Sequence, residues 1–140
     1  MTSLKAELIA AYQRTEYRVR DGAWAFVLRV EEPSPLLQAC HAAHGVQCSA
    51  FLTAWNPHST PTPLDVNTAA MARLEQELDA SGLRWLRGEG TDPSGDWPGE
   101  PSVLVLGLDA AAAVVLARQF AQNAIVCAGA DAVPHLVVCG

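Results

Sequence analysis

The sequence has no apolar run long enough to cross a membrane. The longest, Ala110 to Ala117, falls far short of the roughly 20 residues that a spanning helix needs. Clustered positive charge is missing too. Nine Lys and Arg stand against fifteen Asp and Glu, for a net charge of −6, and no stretch concentrates the cations. Nucleic acids and anionic membrane surfaces draw proteins through such clusters, so neither is expected as a partner. Charged residues make up only 17% of the chain against 50% hydrophobic, which excludes disorder. There is no Gly-x-Ser-x-Gly elbow, phosphate-cradling loop, dinucleotide fingerprint or His-Glu-x-x-His pair. A Ser-His-Asp triad meets only in space, and the sequence is silent on it. Residues 1–7 alternate charged and apolar types without a signal-peptide core, which predicts a cytoplasmic protein.

What is present reads as one domain over residues 1–140, a length that supports a core without staples. Leu4, Leu8, Ala11 and Tyr12 share one face of a helix over 3–14. Asp21-Gly22 predicts a hairpin loop, setting Val19 opposite Trp24 and Tyr17 opposite Phe26. Ser34-Pro35 opens a short helix that Gly45 ends. Residues 50–55 form a strand. Thr62 caps the next helix, with Val66, Ala70, Leu74 and Leu78 as its buried stripe. Residues 83–88 and 102–108 are strands separated by a long loop over 89–101. Asp109 caps a helix from 110 to about 121. Residues 124–128 and 135–138 are the last strands.

From residue 50 the order is strand, helix, strand, strand, helix, strand. This predicts an α+β fold, a two-layer sandwich of the ferredoxin-like βαββαβ kind, with an N-terminal helix and hairpin added. Phe51-Leu-Thr-Ala-Trp-Asn-Pro57, Glu100-Pro-Ser102 before an apolar strand, and Phe120-Ala-Gln-Asn-Ala-Ile-Val126 together resemble the bacterial domain-of-unknown-function family 3293. Tyr12 and Thr15-Glu16-Tyr17 fit the same pattern. In that pattern Gly is usual where Ala121 stands and Trp is common where Cys127 stands. The resemblance supports the domain reading and implies no activity.

Three sets of residues are candidates for chemistry. The first lies at strand and helix ends: Trp55, Asn56, Glu100, Gln122 and Asn123, with Ser102 beside them. Convergent amides and an acid suit a small polar ligand, nucleotide- or sugar-like; the same residues equally serve as turn and cap chemistry. The second is the acidic stretch Glu89, Asp92, Asp96 and Glu100 near Trp85 and Trp97, where two carboxyls could act as acid and base or simply form a solvated loop. It fails as a calcium loop, because Trp97 and Val103 stand where Gly and Glu are required. The third is Cys40, His44 and Cys48. Zinc is one reading; buried thiols and a helix-end histidine are the other. Register sets Cys127 opposite Pro134, away from Cys139, so no disulfide is expected. No metal or cofactor is assigned.

The leading expectation is a small binding or regulatory domain with a polar pocket at Trp55, Asn56, Glu100, Gln122 and Asn123. A small hydrolase- or transferase-type enzyme using an acidic-loop carboxyl is the alternative. A protein-interaction module, including a homodimer through the sheet, is the third.

Overall fold

The computed structural model describes residues 6–139. Leu4 and the start of the predicted first helix lie outside them. The chain runs α1 (Ala6–Arg14), β1 (Glu16–Asp21), β2 (Trp24–Leu28), α2 (Pro35–Ala43), β3 (Ser49–Leu52), α3 (Leu64–Ala80), β4 (Trp85–Thr91), β5 (Glu100–Leu106), α4 (Ala110–Gln119), β6 (Ala124–Ala128) and β7 (His135–Val138). The fold is mixed α+β. All seven strands join one sheet in the order β2-β1-β4-β5-β3-β6-β7, and every neighbouring pair is antiparallel. No helix among the described residues is long and apolar enough to span a membrane.

The local signals act as their chemistry requires. Ser34 Oγ accepts from Leu37 N at 3.1 Å, and Asp109 Oδ1 accepts from Ala112 N at 2.9 Å, each relieving an orphan amide at a helix start. The hairpin differs from expectation by one position. Asp21 pairs with Trp24, Val19 with Phe26 and Tyr17 with Leu28, so Gly22-Ala23 is the loop. Gly22 has φ +59° while Ala23 is not left-handed, which suits a turn with Gly at its first central position. The buried face survives, because the pairing moved by two residues in all.

Helix α3 departs more. Thr62 does not cap it; Pro63 holds that position without a side-chain bond. Val66 is half exposed, and Asn67 takes the buried place on the stripe with Ala70, Met71, Leu74 and Leu78. β4 and β5 also reach into the predicted loop, so Glu89–Thr91 and Glu100-Pro101 are strand. Cys127 pairs with His135 rather than Pro134.

The sheet has two covered faces. Helices α3 and α4 bury one, through Leu74, Leu78, Ala113 and Ala117 against Ala50, Val103, Val105 and Ile125. The other face is concave, because the sheet curls. Glu31 N donates to Pro134 O at 2.7 Å and Ser34 N to Ala132 O at 3.1 Å, which ties the chain beyond β2 to the turn before β7, although β2 and β7 are the two outer strands. Inside the curl, Tyr17 and Phe51 meet edge to face with ring centres 5.3 Å apart. Their strands are three spacings apart, about 14 Å on a flat sheet. Gly88 makes this approach possible, since a Cβ there would stand 2.7 Å from the Phe51 ring and 2.6 Å from Arg18 O. Leu37 and Cys40 of α2 plug one end of the curl against Leu28 and Leu106.

Where α4 ends, Gln122 N bonds Ala117 O at 2.9 Å and Ala121 N bonds Arg118 O at 3.1 Å. This is a Schellman cap, and its left-handed residue is Ala121 at φ +56°. A side chain in that conformation costs about 1–2 kcal/mol. Allowing for the greater freedom glycine has in the unfolded chain, Ala121→Gly is expected to stabilise by about 0.5–1 kcal/mol in urea unfolding. A loss of stability would contradict the cap.

Candidate functional site

The unplugged end of the curl is a cavity of about 460 Å³. Its floor is the concave sheet face: Tyr17, Phe51, Ser102 and Val126, with Gly90 opposite Glu100 and Gly88 opposite Ser102. Glycine at position 90 leaves the space beside Glu100 open, while the space at Gly88 is taken by the Phe51 ring. The rim comes from α1 through Leu8 and Tyr12, from the 56–61 loop, from the 92–99 loop through Asp96 and Trp97, and from Gln122.

Asn56 is the best-held polar residue of the rim. It sits just past β3 in a left-handed conformation, φ 47°, which Asn tolerates. Its backbone N donates to Asn67 Oδ1 at 2.8 Å. Its Oδ1 accepts from Asn67 Nδ2 at 2.8 Å and from Thr62 N at 3.1 Å. With its oxygen doubly occupied, its amide nitrogen faces Glu100 and donates to Oε1 at 3.0 Å. Asn67, only 1% exposed, is therefore the hidden member of the site. Sequence reading passed over it. Its signal was an amide on an apolar helical stripe, spaced three and four residues from Ala70 and Met71.

Glu100 is a strand residue whose carboxyl lines the cavity. Burial raises its pKa, partly offset by the Asn56 hydrogen bond. Because the folded pKa lies above the unfolded one, this group's contribution to stability is highest below the unfolded pKa and falls as pH rises through the folded one. Glu100→Gln is thus expected to melt above the wild type at about pH 8, with the gap closing below about pH 4. An unchanged or lower melting temperature at alkaline pH would refute the desolvated carboxyl. Neighbouring Tyr17 is raised by burial as well, and its hydroxyl donates to Tyr12 O at 2.6 Å.

The structure brings Trp55, Asn56, Glu100 and Gln122 to this cavity. Gln122 Nε2 donates to Trp55 O at 3.3 Å and to Phe120 O at 3.2 Å. Asn123 stands behind the rim, donating through Nδ2 to Ser59 Oγ at 3.0 Å. Ser59 also bonds Tyr12 Oη, so Asn123 braces the loop from outside.

The other candidates separate. Asp92 closes a turn, accepting from Ser94 N at 3.0 Å and Asp96 N at 3.1 Å, and the Ser94 bond lowers its pKa. Trp85 bonds Asp79 on the helix-covered side. Of the acidic stretch, Asp96 and Glu100 reach the cavity and Glu89 does not. Cys40 is wholly buried on the inner face of α2, and His44 Nδ1 lies 2.8 Å from the Cys40 carbonyl oxygen. Among the described residues no group of His, Cys, Asp and Glu is arranged to hold a metal. All four cysteines are free.

A family model for a protein of unknown function, DUF3293, matches residues 52–125, just over half of the chain. The chain belongs to this family. The matched segment runs from the end of β3 to the start of β6, and so contains Asn56, Asn67, Glu100 and Gln122. Tyr12 and Tyr17 precede it. Comparison with curated proteins and with solved structures finds no match.

Proposed function

We propose that the hollow of the curled sheet is a small-molecule site and that the chain is a binding or regulatory domain. The observation that carries this reading is a single one: a half-buried carboxyl, Glu100, stands on the wall of a largely apolar cavity set with aromatic rings, and its neighbouring amide is locked in place. An apolar pocket with a few fixed polar groups is the usual form of a ligand site. Among the described residues no Lys, Arg or His lines the cavity, and of the 56–61 loop it is Asn56, Ser59 and Pro61 that do. That weighs against a phosphate-bearing ligand and favours a ring compound that is neutral or positively charged. The order β4-β5-β3-β6 within the larger sheet, reached through two strand-helix-strand crossings, supports a ferredoxin-like reading of residues 50–128. Four free thiols suit the cytoplasm.

A second reading makes Glu100 a general acid or base in a small enzyme. The burial-raised pKa favours it. Its bonded partner, however, is an amide, which orients a carboxylate and relays no proton.

A thermal-shift screen of ring-bearing fragments on the whole chain tests the binding reading. A hit at a hundred times its Kd should stabilise by about 2.7 kcal/mol. Trp97→Ala, at an exposed loop position, should weaken that hit and leave the melting temperature of the free protein unchanged. A screen without hits, or hits indifferent to Trp97, would remove the site.

A further inference from the structure

Several side-chain donors in the lining of the hollow are already engaged. Tyr17 Oη donates to Tyr12 O, Thr53 Oγ1 to Pro101 O at 2.6 Å, and Ser102 Oγ to Glu100 O at 3.0 Å. The Gln122 amide nitrogen is taken by two carbonyls and that of Asn56 by Glu100. What the hydroxyls and Gln122 still offer is lone pairs. Glu100 Oε2 accepts no hydrogen bond from the described residues, and no salt bridge among them reaches this carboxyl. Around these acceptors stand the rings of Tyr12, Tyr17, Phe51, Trp55 and Trp97, whose faces are negative.

We propose that the ligand is an organic ammonium ion carried on a ring, a primary or alkylated amine whose charge meets Glu100 and whose body lies among the aromatic side chains. This rests on the binding-site reading above and names its ligand class. An ammonium brings donors and no acceptor, which complements a surface of acceptors. It supplies the counter-charge that this half-buried carboxylate lacks. It also gains from the ring faces. An alcohol of the same shape brings one donor and no charge. A carboxylate of the same shape meets Glu100 and Asp96 with like charge.

Three indoles of nearly equal size test this by calorimetric titration of the intact chain: tryptamine, tryptophol and indole-3-propionate. Tryptamine should bind about tenfold or more tightly than tryptophol, as a charged hydrogen bond and cation–π contact imply. Indole-3-propionate should show no binding. In Glu100→Gln, whose melting temperature reports that the fold is intact, the amine's advantage over tryptophol should shrink to about twofold. The wild-type comparison stands even if that variant fails to fold. Tryptophol or the acid equalling tryptamine overturns the ammonium assignment and leaves the cavity reading standing. No binding by the three indoles, together with no hit in the fragment screen, overturns both.

Discussion

Asn67→Ala should lose about 3 kcal/mol of stability, more than any other single truncation at the rim. The position looks unremarkable, one amide on a long helix. Its side chain makes three hydrogen bonds, accepting from Asn56 N and donating to Asn56 Oδ1 and to Thr62 O at 3.2 Å. Each such bond contributes about 1 kcal/mol, and a buried partner left unpaired costs further. The loss should also be felt at the cavity. Without Asn67, Asn56 Oδ1 keeps one donor, the amide is free to turn, and Glu100 loses a fixed partner. Ligand affinity should fall by about tenfold in a variant that is still folded. Asn67→Asp should be worse, since it sets an acceptor against Asn56 Oδ1 and Thr62 O and buries a charge. Val66→Ala, one residue earlier and half exposed, should change stability by less than about 0.5 kcal/mol. Chemical denaturation of the three variants decides the matter. Equal effects at 66 and 67 would mean that the helix faces the sheet differently.

Gly88→Ala is the second large effect. A single methyl there would stand 2.6 Å from a backbone oxygen of β1 and 2.7 Å from Phe51. The backbone oxygen belongs to a paired strand and cannot step aside cheaply. The expected cost is about 2–3 kcal/mol, with the ring of Phe51 driven toward the cavity. Adding Phe51→Leu should recover part of that loss, because the branched side chain can withdraw from the new methyl. If Gly88→Ala is neutral, the close approach of β4 to Phe51 is wrong, and with it the tightness of the curl.

These two residues also mark where sequence reading stops. Caps at Ser34 and Asp109 were legible because hydroxyl and carboxylate act within one helical turn. The hairpin face was legible because alternation is local, while its exact loop was not, since Asp21-Gly22 and Gly22-Ala23 both place glycine at a turn. The meeting of Trp55-Asn56 with Gln122 and Glu100 could be anticipated from strand ends. The curl could not. It depends on Gly88 lying beneath Phe51, residues 37 positions apart in sequence, and on backbone hydrogen bonds between the chain after β2 and the turn before β7. The pocket is therefore expected at the strand ends with Glu100 in it, while its floor on the concave sheet face, Tyr17 and Phe51, is not. Asn67 was missed for a related reason. Val66, Ala70, Leu74 and Leu78 keep a spacing of four, and only packing shows that the stripe begins one residue later, on a polar side chain.

The account stands on one spatial claim, that ligand enters the hollow and rests beside Glu100. Indole N–H resonances in a nitrogen-15 NMR spectrum test it with internal controls. Trp55 and Trp97 line the hollow; Trp24 packs near His44, and Trp85 bonds Asp79, both elsewhere. On saturation with the tightest-binding screen compound, the Trp55 and Trp97 signals should move and those of Trp24 and Trp85 should hold still. Movement confined to Trp24 or Trp85 would put the ligand outside the curl and contradict the account.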